Sequence, residues 1–196
     1  MKKYLLSGLA ACLFPLSAQA LPLSPYIGAD YIYSDIGYSH DYEKFSPEKL
    51  NSGAAIVGVK ILPGIAIEGF FQQSENKNRE AGSVVQYGDI ASTDLKIRSY
   101  GADLVTDILH LYKVELMGSV GVARYDVDVS SKRYYGNNYN HASETWNGTA
   151  LRLGLGAQFN ITDHYSVRAM GRYIRTDMDN LKDIKEFSIG MRYYFW

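Results

Sequence analysis

The sequence predicts an all-β fold, an eight-stranded antiparallel up-and-down transmembrane β-barrel. Three observations predict it: apolar and polar residues alternate with a period of two along eight segments, short and long connections alternate, and the chain starts with an export signal. No segment has the 3.6-residue periodicity of an amphipathic helix. Beyond the signal, no apolar run reaches the roughly 18 residues that a transmembrane helix needs.

Residues 1–20 are expected to be a cleaved signal peptide, and residues 21–196 the barrel domain. The leader has two lysines near its start, then an apolar stretch, and ends in the small-x-small site Ala18-Gln19-Ala20. A rival interpretation makes Cys12 the lipidated residue of a lipobox, but this leaves a very short apolar region before the cut. After cleavage at Ala20 the mature chain has no cysteine, so disulfides and cysteine nucleophiles are excluded.

Each segment places apolar residues on one face and polar or small residues on the other. In the sixth, Leu151 and Leu153 face one way while Arg152 and Gln158 face the other. About ten residues suffice for a strand to cross a bilayer at a tilt. The eight segments are 26–34, 53–62, 65–73, 95–106, 113–125, 149–161, 165–175 and 185–196.

The fourth segment is the least regular. Leu95 and Ile97 are apolar at odd positions, whereas the apolar residues lie at even positions from Tyr100 onward. We therefore expect either a β-bulge near Ser99 or an upper half of the strand that lies above the bilayer.

The connections alternate in length along the chain. Three are tight and four are long and polar, as in a transmembrane barrel with short periplasmic turns and long external loops. The tight connections are 63–64, 107–112 and 162–164, and the long ones are 35–52, 74–94, 126–147 and 177–184.

The alternation alone does not decide which face points outward, because a soluble barrel would bury its apolar face. The polar face, however, carries bulky ions interleaved with glycines, a mixture that suits a crowded, paired lumen. Its equal numbers of acids and bases predict an ion-paired plug rather than a pore, since eight strands leave just enough room for side chains. The predicted lumen charge network is Asp30, Lys60, Glu68, Asp103, Glu115, Arg152, Arg168, Arg172, Glu186 and Arg192.

Aromatic residues gather near the ends of the segments, where amphipathic rings suit the membrane interfaces. They support the membrane interpretation together with the export signal, because a closed barrel satisfies every backbone group in lipid. The expected interface aromatics are Tyr26, Tyr33, Phe71, Tyr100, Phe159, Tyr165, Tyr173, Phe187, Tyr193, Phe195 and Trp196.

The C-terminal segment resembles the recognition signal of outer-membrane barrels, polar-x-Gly-x-x-aromatic-x-aromatic, with Trp196 added after the expected terminal Phe. Ser188, Gly190, Tyr193 and Phe195 carry this match. Over its mature length the chain resembles the OmpA/OmpX-like group of small eight-stranded barrels. The resemblance implies insertion in a Gram-negative outer membrane by the barrel assembly machinery, among outer-membrane lipid and lipopolysaccharide.

The third long connection is the expected interaction surface, because it combines aromatic anchors with adaptable polar groups. We hypothesise that it contacts a host or cell-surface ligand. The alternative is that its tyrosines merely extend the hairpin between the fifth and sixth segments above the membrane. The residues concerned are Lys132, Arg133, Tyr134, Tyr135 and Tyr139.

The expected function is therefore structural or surface-interacting, adhesin-like and not enzymatic, with no cofactor, metal or nucleic acid. The formal net charge of -1 gives no basic excess for nucleic acid. One alternative is a narrow porin-like channel for small solutes or ions. Another is a lipid A modifying enzyme, since His141-Ala142-Ser143 resembles the His-x-Ser pair of the deacylases, although it lies in a polar loop without a matched acid.

Overall fold

The computed structural model describes residues 23–38, 49–84, 89–135, 138–178 and 181–195. Within these ranges there is no helix whose length and hydrophobicity would let it cross a membrane. The strands are β1 (Ser24–Tyr38), β2 (Lys49–Leu62), β3 (Ile65–Ser74), β4 (Lys77–Val84), β5 (Asp89–Leu111), β6 (Val114–Tyr135), β7 (Asn138–Asn160), β8 (Tyr165–Thr176) and β9 (Leu181–Tyr194).

The strands form one closed antiparallel sheet. Strands that are consecutive in sequence pair with each other, except β3 and β4. β1 also pairs with β9, and β3 pairs with both β2 and β5, which closes the barrel. β3 and β4 lie end to end along β5 and together make one barrel strand, so the predicted eight-stranded up-and-down fold is confirmed. At the break, the Ser74 hydroxyl accepts the Ile97 N–H at 2.8 Å and the Glu75 N–H bonds to the Asn51 carbonyl at 2.9 Å.

Three tight turns lie at one end of the barrel, called here the turn end. Gly64 (φ 78°) and Tyr112 (φ 54°) adopt left-handed conformations in the first two. In the third, the Thr162 hydroxyl accepts the N–H groups of His164 and Tyr165 at 3.2 and 3.0 Å. The opposite end, where the strands are longest, is the loop end.

The strands at the loop end are longer than the sequence indicated. β5, β6 and β7 have 23, 22 and 23 residues, at least twice the roughly 9–11 residues that cross a bilayer. β6 and β7 stay in register up to the pair Tyr135↔Asn138. The prediction of a loop over 126–147 is therefore wrong, because β6 and β7 stay paired through this range and the inward Val127 is buried in the barrel.

The predicted β-bulge near Ser99 is also wrong. β5 pairs with β6 without interruption from Ala91 to Asp107, and the register shifts only between Asp107 and Leu109. Leu95 and Ile97 are buried on the same inward face as Ser99. What changes along β5 is the content of the lumen, which becomes apolar toward the loop end, in agreement with an upper half above the bilayer.

The inward-facing side chains form three layers. The turn-end layer is apolar and contains Tyr26 and Tyr194, whose ring centroids lie 4.9 Å apart. The middle layer holds the ions. The loop-end layer is apolar again and consists of Ile36, Leu50, Leu95, Ile97, Ala123, Tyr125, Val127, Ala150, Ile174, Leu181 and Ile184.

The outward face is apolar and exposed, as predicted. Leu155 is 69 % exposed and Val57 63 % exposed, which is stable only against lipid. Of the expected interface aromatics, Tyr26 is the exception, because it points inward and is fully buried. Trp196 lies outside the described residues.

Candidate functional site: the ion-paired lumen and the external sheet

The ions nearest the turn end are tightly paired. Arg192 donates to both carboxylate oxygens of Asp30, and Arg168 donates to Glu68. The Tyr26 hydroxyl donates to the same Glu68 oxygen at 2.7 Å. All five side chains are buried, so each charge depends on its partner rather than on water.

A polar chain continues from this pair toward the turns. Arg168 donates through Nε and Nη2 to the Gln158 side-chain oxygen at 3.0 and 2.9 Å. Gln158 in turn donates to Glu115 at 3.1 Å, and Asn160 donates to Glu115 at 2.9 Å. An amide thus connects Glu115, the acid nearest the turns, to the arginine network.

The ions nearest the loop end are paired more loosely. Arg152 lies 3.7 Å from Asp103 and 3.8 Å from Glu186, and Arg172 lies 3.9 Å from Asp103. The Arg152 guanidinium stacks 3.7 Å from the Phe70 ring centroid. Separations beyond 3.5 Å are those at which water commonly bridges two charged groups.

Glycines on the inward face make room for these long side chains. A Cβ at Gly190 would collide with the Asp30 carboxylate, and one at Gly121 would collide with Asp103. The same holds at Gly28, which lies under the Arg192 side chain. The interleaving of ions and glycines seen in the sequence is therefore a packing requirement of the lumen.

The structure brings together most of the predicted charge network. Nine of the ten residues are buried, and Lys60 is the exception. Its amine lies at the turn end, 4.9 Å from the Tyr194 ring centroid. Lys60 thus lies on the inward face, at the last inward position of β2 where the lumen opens, and it is partly exposed.

Two partners of the ions were not predicted from the sequence to belong to the lumen network. Tyr26 and Gln72 are buried and donate to Glu68 and Glu186. Both lie at even positions of their strands, as Asp30 and Glu68 do, so strand parity was the signal that could have found them. Which ion an inward glutamine or tyrosine contacts, however, becomes known only from the structure.

The arrangement suits a plug. An apolar layer covers the ions at the loop end, and acids and arginines neutralise one another below it. At the turn end Tyr26 and Tyr194 pack beside the polar chain that runs to Glu115. A conducting path would have to cross the loop-end apolar layer and the ion pairs below it. Within the described ranges there is also no group of three His, Cys, Asp or Glu side chains placed to hold a metal.

Above the barrel, β4 to β7 continue as a four-stranded sheet, called here the external sheet. The predicted interaction residues pair at its tip, with Lys132 opposite His141, Arg133 opposite Asn140, Tyr134 opposite Tyr139, and Tyr135 opposite Asn138. Their backbone extends the hairpin, which is the arrangement of the alternative interpretation. Their side chains lie outside the described part of the structure, as do residues 136–137.

The model of the outer membrane protein β-barrel domain matches residues 5–195 of the chain. The chain belongs to this family. No curated protein matches the sequence.

Solved structures of outer-membrane barrels are similar to this one in fold. Ail, the attachment invasion locus protein of Yersinia pestis, is 23 % identical with a TM-score of 0.54, over 88 % of this chain and 97 % of Ail. Neisserial surface protein A is 17 % identical with a TM-score of 0.63, over 87 % and 97 %. OprG of Pseudomonas aeruginosa is 10 % identical with a TM-score of 0.54, over 88 % and 96 %.

The family places this barrel in the outer membrane of a Gram-negative bacterium. In such barrels the short turns face the periplasm. The turn end is therefore periplasmic, and the external sheet stands outside the cell.

The residues of the predicted assembly signal lie in and just after β9. Ser188 is buried and Gly190 faces Asp30, whereas Tyr193 and Phe195 point outward at the periplasmic interface. The Tyr193 ring lies 5.1 Å from Tyr165 and 5.3 Å from Phe195, centroid to centroid. The two outward rings form part of the aromatic girdle of this outer-membrane barrel, and recognition by the assembly machinery stays a prediction.

Proposed function

We propose that this outer-membrane barrel is a non-enzymatic attachment protein that presents its external sheet to a ligand outside the cell. One observation carries the proposal: β5, β6 and β7 each continue for about as many residues beyond the bilayer as they need to cross it. A barrel that served only as a membrane plug would not need this ordered extension.

The external sheet offers two unpaired edges within the described residues. β4 pairs only with β5, and β7 pairs only with β6 over residues 138–148. Unpaired strand edges bind extended polypeptides by adding a strand, and side chains then supply specificity. Tyrosines and cations at the tip add the residue types that binding surfaces favour.

The sealed lumen favours attachment over conduction. A small-solute channel needs a continuous wet path, whereas Tyr125 in the loop-end layer and Tyr26 in the turn-end layer are both fully buried. The enzyme alternative gains no support either. His141 and Ser143 lie on the external part of β7, away from the acyl chains that a lipid A enzyme must reach.

A sulfated glycan is the first ligand to test. Ail, one of the structural neighbours, was solved in complex with the heparin analogue sucrose octasulfate; that structure is 22 % identical to this chain, with a TM-score of 0.53. In this chain Lys132 and Arg133 lie at the tip of the external sheet. Consecutive strand residues face opposite sides of a sheet, so each face of the tip carries one cation, and a cation is the group with which a sulfate pairs.

The test removes the tip without disturbing the barrel. Ser130 and Ser143 are directly paired, so a short Gly/Ser turn joining them deletes residues 131–142 and preserves the register below. Bacteria displaying the full protein should bind immobilised heparin and cultured host cells. The trimmed variant should lose this binding while its outer-membrane level and heat-modifiable mobility stay unchanged.

Two charge variants test whether the cations of the tip contribute to heparin binding. Lys132→Gln with Arg133→Gln should weaken heparin binding, whereas Lys113→Gln, an exposed cation at the turn end, should not. If the trimmed barrel binds both heparin and host cells as the full protein does, the attachment function of the tip is refuted.

A further inference from the structure

The lumen opens toward the periplasm in a polar hollow, called here the mouth pocket. It has a volume of about 280 Å³ and lies at the turn end, among residues of β1, β2, β7, β9 and the turn between β7 and β8. One wall is the buried Tyr194 side chain. The other residues that line the pocket are Ser24, Lys60, Asn160, Thr162 and Asp163.

The cation of the mouth pocket has no carboxylate directly across the sheet. Lys60 is paired with Ser24 on one side and with Ala66 on the other. Its ammonium lies 4.9 Å from the centroid of the Tyr194 ring, and the side chain is only partly buried. The ammonium therefore contacts one aromatic ring and can bind a second partner from the side of the pocket.

The pairing of β1 with β9 reaches this pocket. The Phe195 N–H donates to the Pro25 carbonyl at 3.2 Å, one step beyond the end of the ladder between the two strands. A further step along both strands brings position 196 opposite Ser24, which is itself paired with Lys60. Position 196, Ser24 and Lys60 therefore belong to one cross-strand row at the mouth pocket.

Strand parity assigns position 196 to the inward face. Tyr194 is buried in the lumen and Phe195 is exposed on the outward face, and side chains alternate between the two faces along a strand. The next inward position is that of Trp196, which lies outside the described residues. The small side chain of Ser24 leaves space for a large ring between position 196 and Lys60.

The chemistry of the mouth pocket suits an indole. A lysine ammonium is attracted to the face of an aromatic ring, and tryptophan is the best partner for it. An indole also carries one N–H donor, which needs an acceptor when the ring is buried. The Asp163 carboxylate lines the pocket and supplies that acceptor.

The mouth pocket is also the place where the polar chain of the lumen meets the periplasm. Asn160 lines the pocket and donates to Glu115 at 2.9 Å. Gln158 connects Glu115 to Arg168 in the ionic layer. A side chain that fills the pocket therefore separates the outer end of this chain from periplasmic water.

We propose that Trp196 turns into the mouth pocket and caps the periplasmic end of the lumen. Its ring covers Ser24 and stacks against the Lys60 ammonium, and its N–H donates to Asp163. Trp196 is then an inward cap and does not belong to the aromatic girdle, whose outward ring at this level of β9 is Phe195. The cap is independent of the attachment function proposed for the external sheet.

The first experiment locates the indole by fluorescence of the folded protein in lipid vesicles. The chain has two tryptophans, so Trp146→Phe leaves Trp196 as the only reporter. Lipids with brominated acyl chains should quench it weakly. The control combines Trp146→Phe, Phe195→Trp and Trp196→Phe, which moves the indole one position along β9 to the outward face, and brominated lipid should quench this control strongly.

The contact with Lys60 is tested in the same background. Acrylamide, a neutral quencher in water, should reach Trp196 poorly while the indole is packed in the pocket. Lys60→Gln removes the cation that holds the ring and should increase acrylamide quenching. Lys113→Gln removes an exposed cation from the turn end and should leave the quenching unchanged.

A second experiment measures closure of the mouth. Ser24→Cys places a thiol beneath the cap, and its reaction with a water-soluble maleimide is followed in the folded protein. Trp196→Ala should accelerate the reaction by about tenfold or more, because the open form of a closed device is a minor state. Lys113→Cys, at an exposed position of the same end, should react at the same rate with and without Trp196.

Three results would overturn the proposal. Brominated lipid that quenches Trp196 as strongly as the outward control would assign it to the girdle. Acrylamide quenching as efficient as that of free N-acetyltryptophanamide would show that the indole points into water. Equal labelling of Ser24→Cys with and without Trp196 would refute closure. Folding of every variant is checked by heat-modifiable mobility, and the fluorescence test keeps Trp196 in place, so it stands even if Trp196→Ala does not fold.

Discussion

The pairing of Asp30 with Arg192 offers a direct test of the ionic lumen. Arg192 donates two hydrogen bonds to the Asp30 carboxylate, and both side chains are buried. Asp30→Asn keeps the shape of the side chain but removes its charge, which leaves Arg192 without its closest counter-ion. Removing one partner of a buried ion pair costs about 3–5 kcal/mol of unfolding free energy.

The external face supplies a matched control. Arg98 and Asp128 form an ion pair at 2.8 Å with side chains 45 % and 36 % exposed. Asp128→Asn makes the same chemical change where water screens the charge, so it should cost about 0–1 kcal/mol. Asp30→Asn and Asp128→Asn therefore make the same chemical change, and they differ in whether the ion pair that is broken is buried or exposed.

The assay is reversible urea unfolding in lipid vesicles, followed by tryptophan fluorescence and by heat-modifiable electrophoretic mobility. A double variant, Asp30→Asn with Arg192→Met, removes both charges and should recover part of the loss, because no uncompensated ion remains. If Asp30→Asn costs no more than Asp128→Asn, the lumen charges are hydrated and the ion-paired plug is wrong.

Three further predictions concern the lumen. Gly190→Ala should cost about 1–3 kcal/mol, because the added methyl group collides with Asp30, whereas Gly171→Ala on the open outward face should be close to neutral in the same urea titration. Tyr26→Phe should cost about 1–3 kcal/mol of unfolding free energy, because Glu68 loses the hydroxyl that donates to it at 2.7 Å. The wild-type barrel should show no steady conductance in planar bilayers, and channels of uniform size in the unmodified protein would contradict the sealed lumen.

The membrane-spanning part of the fold was predictable from the sequence. A barrel in a bilayer has two unlike surroundings, lipid outside and a packed polar lumen inside, and side chains alternate between them. The alternation of Leu151 and Leu153 with Arg152 therefore reports the environment at each position directly. The same parity placed nine of the predicted ions in the lumen.

The external sheet was not predictable in this way. Above the bilayer the outward face of a strand meets water while the inward face packs in the loop-end layer, so the alternation inverts: Tyr125 and Val127 are buried, and the polar Asp126 lies between them on the other face. The irregular pattern in β5 has a related cause. Leu95 and Ile97 fill an apolar layer inside the barrel, and periodicity alone cannot distinguish an apolar lumen from lipid.

The partners within the lumen depend on contacts across the barrel. Arg168 and Glu68 are 100 positions apart in sequence, and Arg192 and Asp30 are 162 apart. Which ions meet depends on the register and tilt of the strands. Lys60 shows the limit of parity, because it lies on the inward face of β2 yet too near the turn end to join the network.

The most direct test of the orientation of this barrel is single-cysteine labelling of intact cells with a membrane-impermeant maleimide. One cysteine replaces Asn138 at the tip of the external sheet, and another replaces Asp163 in the turn between β7 and β8. We expect labelling at position 138 only, with position 163 labelled once the outer membrane is permeabilised. Labelling at position 163 in intact cells, or at neither position with the protein released by osmotic shock, would contradict a transmembrane barrel whose external sheet stands outside the cell.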